Sequence, residues 1–366
     1  MQETDFPACL ADLASAARAR LDPGVAAFFD GGAGDERTLR ANAEAWQDMT
    51  LWPRVLKPLT GGHTRTTLAG CELAHPILVA PVAFQRLAHD QGEWASALAA
   101  AAQGAGYVLP TLSSVPMERV AEAVLPEPAR GPLWFQLYWQ ADRGVIRALL
   151  QRAEAAGYEA IVLTVDAPVQ GMRDAERRTG FRLPAGISAV HLSDGGRGTE
   201  AAHADAATFC AGVAASAPTW DDVLWLQAQT RLPVWLKGVL HPLDARQAQS
   251  LGVAGLIVSN HGGRTLDTAP ATAQALARIA EAVGPALPLI VDGGIRRGTD
   301  VLKAVALGAR AVMIGRPVVH ALAVAGPVGV ARLVRTLRDE LEMAMALCGC
   351  RTLADATPAL TSLKSP

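Results

Sequence analysis

The sequence predicts one α/β domain over residues 1–366, a (β/α)8 TIM barrel with an N-terminal helical cap and a flap inserted after the fourth strand. Three observations carry this. Short aliphatic runs recur eight times, Ala- and Leu-rich helical segments separate most of them, and charged residues gather just past the later runs. A chain of this length matches one such barrel, which spans about 250 to over 400 residues.

The first 75 residues read as the cap, with helices expected over Thr4–Leu21, Val25–Phe29 and Glu36–Met49. The eight runs are Pro76–Ala80, Gly106–Leu109, Leu133–Leu137, Ala160–Val165, Val234–Lys237, Gly255–Val258, Leu289–Val291 and Ala311–Ile314. Continuous apolar runs suit parallel strands buried on both faces. Helical segments such as Glu93–Gln103, Gly144–Ala156, Ala273–Val283 and Thr299–Leu307 lie between most of them, and strand and helix alternating eight times reads as a barrel rather than a doubly wound sheet. One interval is far longer than the rest, from Ala160 to Val234, and holds an insertion. Its residues 180–218 read as a flap over the barrel mouth, rich in Gly, Ala, Ser and His from Ser188 to Pro218. Residues 328–366 read as a closing helix, Val328–Met345, and a tail.

Composition excludes several functional classes. Lys plus Arg is 33 and Asp plus Glu 35, so the net charge of −2 gives no basic field for nucleic acid or an anionic membrane. A mean hydropathy of +0.19 with 19% charged residues describes a chain that buries a core. The five cysteines have no zinc-site spacing and read as thiols of a reducing compartment. The first residues lack a signal-peptide core, and no uninterrupted apolar run approaches the roughly 20 residues of a membrane span. The expected location is the cytoplasm, with no metal site, no membrane and no nucleic-acid partner.

Barrel enzymes carry their chemistry at the carboxyl ends of the strands. Here those ends supply Asp166, Lys237, His261, Arg264, Asp292, Arg296 and Arg316. Gly293-Gly294 and Gly315 let backbone N–H groups approach a phosphate, and Arg296 and Arg316 add charge to it. A carboxylate such as Asp166 can hold His261 in one tautomer and make it a general base, while Arg264 suits a substrate carboxylate. No G-x-G-x-x-G follows a strand, which leaves a Rossmann-bound nicotinamide unsupported.

Ser259-Asn260-His261-Gly262-Gly263-Arg264-Thr265-Leu266-Asp267 resembles the signature of the FMN-dependent 2-hydroxy acid oxidases and dehydrogenases, among them glycolate oxidase, lactate oxidase and mandelate dehydrogenase. The likeness extends from about Leu10 to Leu347 through Ala80-Pro81-Val82-Ala83, Thr111–Ser114, Trp134–Tyr138, Leu163–Asp166, Lys237-Gly238, Val291–Arg296 and Ile314–Pro317. It implies FMN as cofactor, with Val82, Ala83, Ser113, Gln136, Thr164, Lys237 and Ser259 about the ring. Asp292, Gly294, Arg296, Gly315 and Arg316 would then hold the ribityl phosphate. His261 becomes the base, Asp166 its orienter, Tyr138 a partner of the substrate hydroxyl, and Arg264 and Arg173 the carboxylate grip. The resemblance further implies an (S)-2-hydroxy acid substrate and a homo-oligomer, a tetramer or larger.

Two positions depart from the family. Phe28 stands where a cap tyrosine is usual, removing one hydroxyl from the carboxylate grip, and Val115 stands where short-chain oxidases place an aromatic ring. Together they point to a bulky or aromatic substrate resembling mandelate. Molecular oxygen is the expected electron acceptor, giving hydrogen peroxide. The alternatives are a soluble dehydrogenase serving a quinone or carrier protein, an FMN barrel isomerase without net redox, and a flavin-binding protein without activity.

Overall fold

The computed structural model describes residues 6–192 and 217–362, so 193–216, the centre of the expected flap, lie outside the described residues. The cap contains α1 (Leu13–Arg18), α2 (Pro23–Asp30) and α3 (Arg37–Asp48). Asp22 accepts a hydrogen bond from Gly24 N at 2.8 Å and starts α2, with Pro23 at the first helical position. The helix expected over Thr4–Leu21 is shorter, since Leu10–Asp12 form a 3-10 turn and Ala19 closes α1.

An antiparallel hairpin follows, β1 (Thr66–Leu68) and β2 (Cys71–Leu73), within the segment expected to be helical. Its Leu68 and Leu73 pack onto the side chains that fill the barrel and plug the end where the strands begin.

All eight expected strands form, as β3 (Ile77–Val79), β4 (Gly106–Leu109), β5 (Leu133–Tyr138), β6 (Ala160–Thr164), β7 (Val234–Val239), β8 (Gly255–Val258), β9 (Leu289–Val291) and β10 (Ala311–Ile314). They pair in parallel in chain order, and β10 closes the barrel on β3 with Val312 opposite Ile77. Successive side chains alternate between the two buried faces. In β5, Trp134 faces the interior core whereas Leu133, Phe135 and Leu137 belong to the layer beneath the helices. Trp134 and Trp235 fill the barrel centre with ring centroids 4.9 Å apart. The Trp235 ring lies so close to Gly255 that a Cβ there would overlap it.

The last helix, Arg316–Cys348, starts earlier than expected and breaks at Ala325 and Gly326, whose backbone is not helical. By length and composition it could cross a membrane, but 67% of its apolar window is buried inside the protein, where it packs against the barrel and α1. A buried core helix satisfies the same measure.

The barrel's dependence on the Gly255–Trp235 contact yields a prediction. Gly255→Ala should destabilise the fold by about 3 kcal/mol, the upper end of the usual overpacking cost, read as a lowered urea midpoint. An unchanged midpoint would show that the ring has room to move.

Candidate active site

The mouth of the barrel holds a cleft lined by the cap and the strand ends. Its central side chain is His261, three residues past β8. The backbone turns sharply there, with φ of +58° at His261, +64° at Gly262 and +75° at Gly263. Two glycines make such a run affordable, and a Cβ on Gly263 would press on the Leu39 backbone N at 2.6 Å. His261 itself pays the left-handed strain, roughly 1 kcal/mol or more, and is secured by its N–H donating to Ser259 Oγ at 3.1 Å.

His261 Nδ1 lies 2.9 Å from Asp166 Oδ1, and Nε2 lies 3.1 Å from the Tyr138 hydroxyl. A carboxylate partner assigns the proton to Nδ1, leaving the Nε2 lone pair free to accept from Tyr138. Burial pushes the His261 pKa below its ordinary value, with Lys237 adding to the effect and Asp166 opposing it. Burial alone would raise Asp166, but the charge and hydrogen bond of His261, with help from Lys237, hold it below the usual carboxylate range. The resting pair is a neutral imidazole against an anionic carboxylate. Tyr138, whose pKa burial raises, stays protonated.

Lys237, 4% exposed, donates to Ser259 Oγ at 3.0 Å and lies 3.4 Å from Asp292 Oδ2. Burial opposes its charge, yet Asp292 and Asp166 outweigh that and raise its pKa. It is therefore a fixed cation.

The arginines tie the cap to the barrel. Arg316 donates to three backbone carbonyls, of Phe29 at 3.0 Å, Gly262 at 2.8 Å and Gly31 at 3.0 Å. Arg264 Nη1 donates to the carbonyls of Phe28 at 2.7 Å and Gly31 at 2.8 Å. Burial and the neighbouring Arg296 bring the Arg316 pKa down to about 10. Burial, then Arg173 and Arg316, push Arg264 well below its ordinary value. Such crowded cations are a strong attractor for anions. Arg173 joins the group through Glu176, on the short helix Asp174–Thr179.

Val82, Ala83, Gln136, Asp292, Gly294, Arg296, Gly315 and Phe28 all line the cleft with His261, Tyr138, Lys237, Arg264 and Arg316, while Asp166 and Arg173 stand outside that lining. Ser113, Thr164 and Ser259 stand behind it, buried. There the Gln136 amide accepts from Thr111 N and donates to Thr164 Oγ1, both at 3.0 Å. Val115 is a correction to the sequence reading: it lines a second cavity with Arg86, Trp94, Arg119 and Val190, not the cleft. Ser113 Oγ bonds both the N–H and the carbonyl of Val115, making the tight turn that carries its side chain there.

Sequence reasoning missed several residues that build this site. Asn42 and Asn260 exchange amide hydrogen bonds of 2.9 and 2.8 Å and lock α3 onto the turn before His261. Asp267 accepts from Thr38 N at 2.9 Å and Asp35 N at 3.0 Å, supplying from afar the N-terminal cap that α3 lacks locally. Glu93, fully buried, accepts from Gln85 N, Ser114 N and Ser114 Oγ and joins the loops after β3 and β4. Glu176 had one local signal, its position three residues after Arg173.

The cleft fits a flavin mononucleotide. Asp292 Oδ1 is buried without a partner, which suits a polyol hydroxyl, and Lys237 faces the region with a fixed positive charge. Arg296, Gly315 and Arg316 bring two cations and backbone N–H groups together at the start of the last helix, where a phosphate is favoured.

Comparison with known proteins agrees. The model of the FMN-dependent dehydrogenase family matches residues 17–363. An L-lactate oxidase of Roseobacter sp. is 47% identical over 366 aligned residues, covering 97% of this chain and 95% of its own. Glycolate oxidase 1 of Zea mays is 46% identical, covering 90% of this chain and 89% of its own. Among solved structures, mandelate oxidase bound to 3,3-difluoro-2-hydroxy-3-phenylpropionic acid is 43% identical with a TM-score of 0.87, covering 97% of this chain and 98% of that one. The chain belongs to the FMN-dependent dehydrogenase family, with FMN as its cofactor and 2-hydroxy acid oxidation as its reaction class.

Proposed function

We propose that this enzyme oxidises an (S)-2-hydroxy acid with a bulky or aromatic side chain to the 2-oxo acid, with molecular oxygen as final acceptor. The observation that carries the substrate class is an aromatic cluster centred on Phe28, which lines the cleft with Phe29. Phe28 stacks on Phe181 at 5.0 Å and 29°, meets Phe29 edge-on at 5.2 Å, and lies 6.2 Å from Phe84. The Arg264 guanidinium stands 5.5 Å above the Phe28 ring. An aryl side chain finds apolar, polarisable surface beside the cationic anchor for its carboxylate. The solved mandelate oxidases support this reading. A second reading, lactate, draws on the 47% and 49% identity to L-lactate oxidases.

Arg264 and Arg173 take the substrate carboxylate, and Tyr138 meets the hydroxyl. His261 Nε2 accepts a proton lost as C2 is oxidised, and Asp166 stabilises the imidazolium that results. FMN, when bound, would supply the acceptor for the two electrons, with oxygen as the final oxidant and hydrogen peroxide as the co-product. Lys237 sets a positive charge beside the cofactor site.

Four outcomes are expected. Anaerobic addition of (S)-mandelate should bleach the yellow protein at far lower concentration than (S)-lactate; the reverse order establishes the lactate reading. The base must be neutral to act and its pKa is lowered, so kcat/KM should rise with pH along an acid limb centred below about 6.5 and then level off. Asp166→Asn removes the charge that favours imidazolium, so kcat should fall about 100-fold or more and the limb should move to lower pH. A limb above 6.5 in the unaltered enzyme would contradict a buried neutral base. Phe28→Tyr restores a hydroxyl beside the carboxylate site and should lower KM for lactate about tenfold, the value of one hydrogen bond to a charge.

A further inference from the structure

We propose that Glu176 is a positioning residue that holds Arg173 beside Arg264, so that the two guanidinium groups act as one paired anchor for the substrate carboxylate. The inference rests on the reading above that these arginines take that carboxylate. Glu176 Oε1 accepts from Arg173 Nη1 at 3.1 Å and from Arg264 Nη2 at 3.3 Å, so one oxygen bridges both. The three side chains are only 14–16% exposed.

The two arginines depend on the bridge unequally. Arg264 is also fixed by the carbonyls of Phe28 and Gly31. Among the described residues the Arg173 side chain bonds Glu176 alone, and its Nε is buried without a partner. A planar guanidinium with one anchor keeps its donors aimed only while that anchor stays. Two largely buried cations side by side also repel, and Glu176 is the carboxylate that offsets this. Phe28 offers no hydroxyl to share the load, so the grip falls on the paired guanidinium groups.

The sign of the effect separates position from charge. Deleting a carboxylate beside two cations would by itself tighten an anion, whereas loss of aim weakens it. The test uses the FMN-loaded full chain and measures the Kd of oxalate by perturbation of flavin absorbance, with KM and kcat for the best hydroxy acid substrate. Glu176→Ala should raise the oxalate Kd and the KM about tenfold, the loss of about 1.4 kcal/mol, and leave kcat within about threefold. Arg173→Ala should weaken oxalate at least as much, and the double variant no more than Arg173→Ala alone. Glu176→Gln, which keeps an acceptor oxygen, should stay nearer the unaltered enzyme, and Glu176→Leu serves in place of Ala if that variant does not fold. Unchanged or tighter oxalate binding without Glu176, or losses that add in the double variant, overturns the proposal. Oxalate binding untouched by Arg173→Ala removes the anchor reading itself, and the proposal with it.

Discussion

The hydrogen bond of 2.9 Å between Asp166 and His261 is the constraint around which the barrel mouth is arranged. It places a carboxylate from the end of β6 against a ring from the end of β8, across the intervening β7. Maintaining it requires a left-handed backbone at His261, two glycines behind it and the Ser259 hydroxyl beneath it. In return the ring has one tautomer and one free nitrogen, directed at Tyr138.

Around that pair the site is a problem of burying charge. Lys237 and Asp292 are deeply buried, the Asp166 side chain is 9% exposed, and those of Arg264, Arg173 and Glu176 are 14–16% exposed. Ions removed from water are tolerable only when paired or hydrogen-bonded. Most are paired here, to one another or to carbonyls of the cap; Asp166 Oδ2, Arg173 Nε and Asp292 Oδ1 are left without a partner, and of these residues Asp292 lines the cleft. Cap and barrel are joined by the same groups that do the chemistry, so the cap is part of the site. The Asn42–Asn260 pair and the capping of α3 by Asp267 make that joint rigid.

The strands were legible because both faces of each are buried, which removes polar residues from the run. The hairpin Thr66–Leu73 was not, since two three-residue strands are too short to show alternation. The last helix was expected from Val328, and the non-helical backbone at Ala325 and Gly326, next to Pro327, is what separates that part from the earlier turns beginning at Arg316. Residues at strand ends announced themselves through position and type. Glu93, Asn42 and Glu176 did not, as most of their partners lie tens to hundreds of residues away. Val115 was assigned to the substrate by its place in a motif, and a local turn carries it into another cavity.

The protonation of His261 is the most direct test of this account. Nitrogen-15 labelling of the eight histidines in the FMN-loaded enzyme, with His261→Gln to assign the signal, reads each ring nitrogen separately. The account predicts that at pH 7 His261 carries one proton, on Nδ1, with Nε2 free. A doubly protonated ring at that pH, or a proton on Nε2 instead, would contradict it.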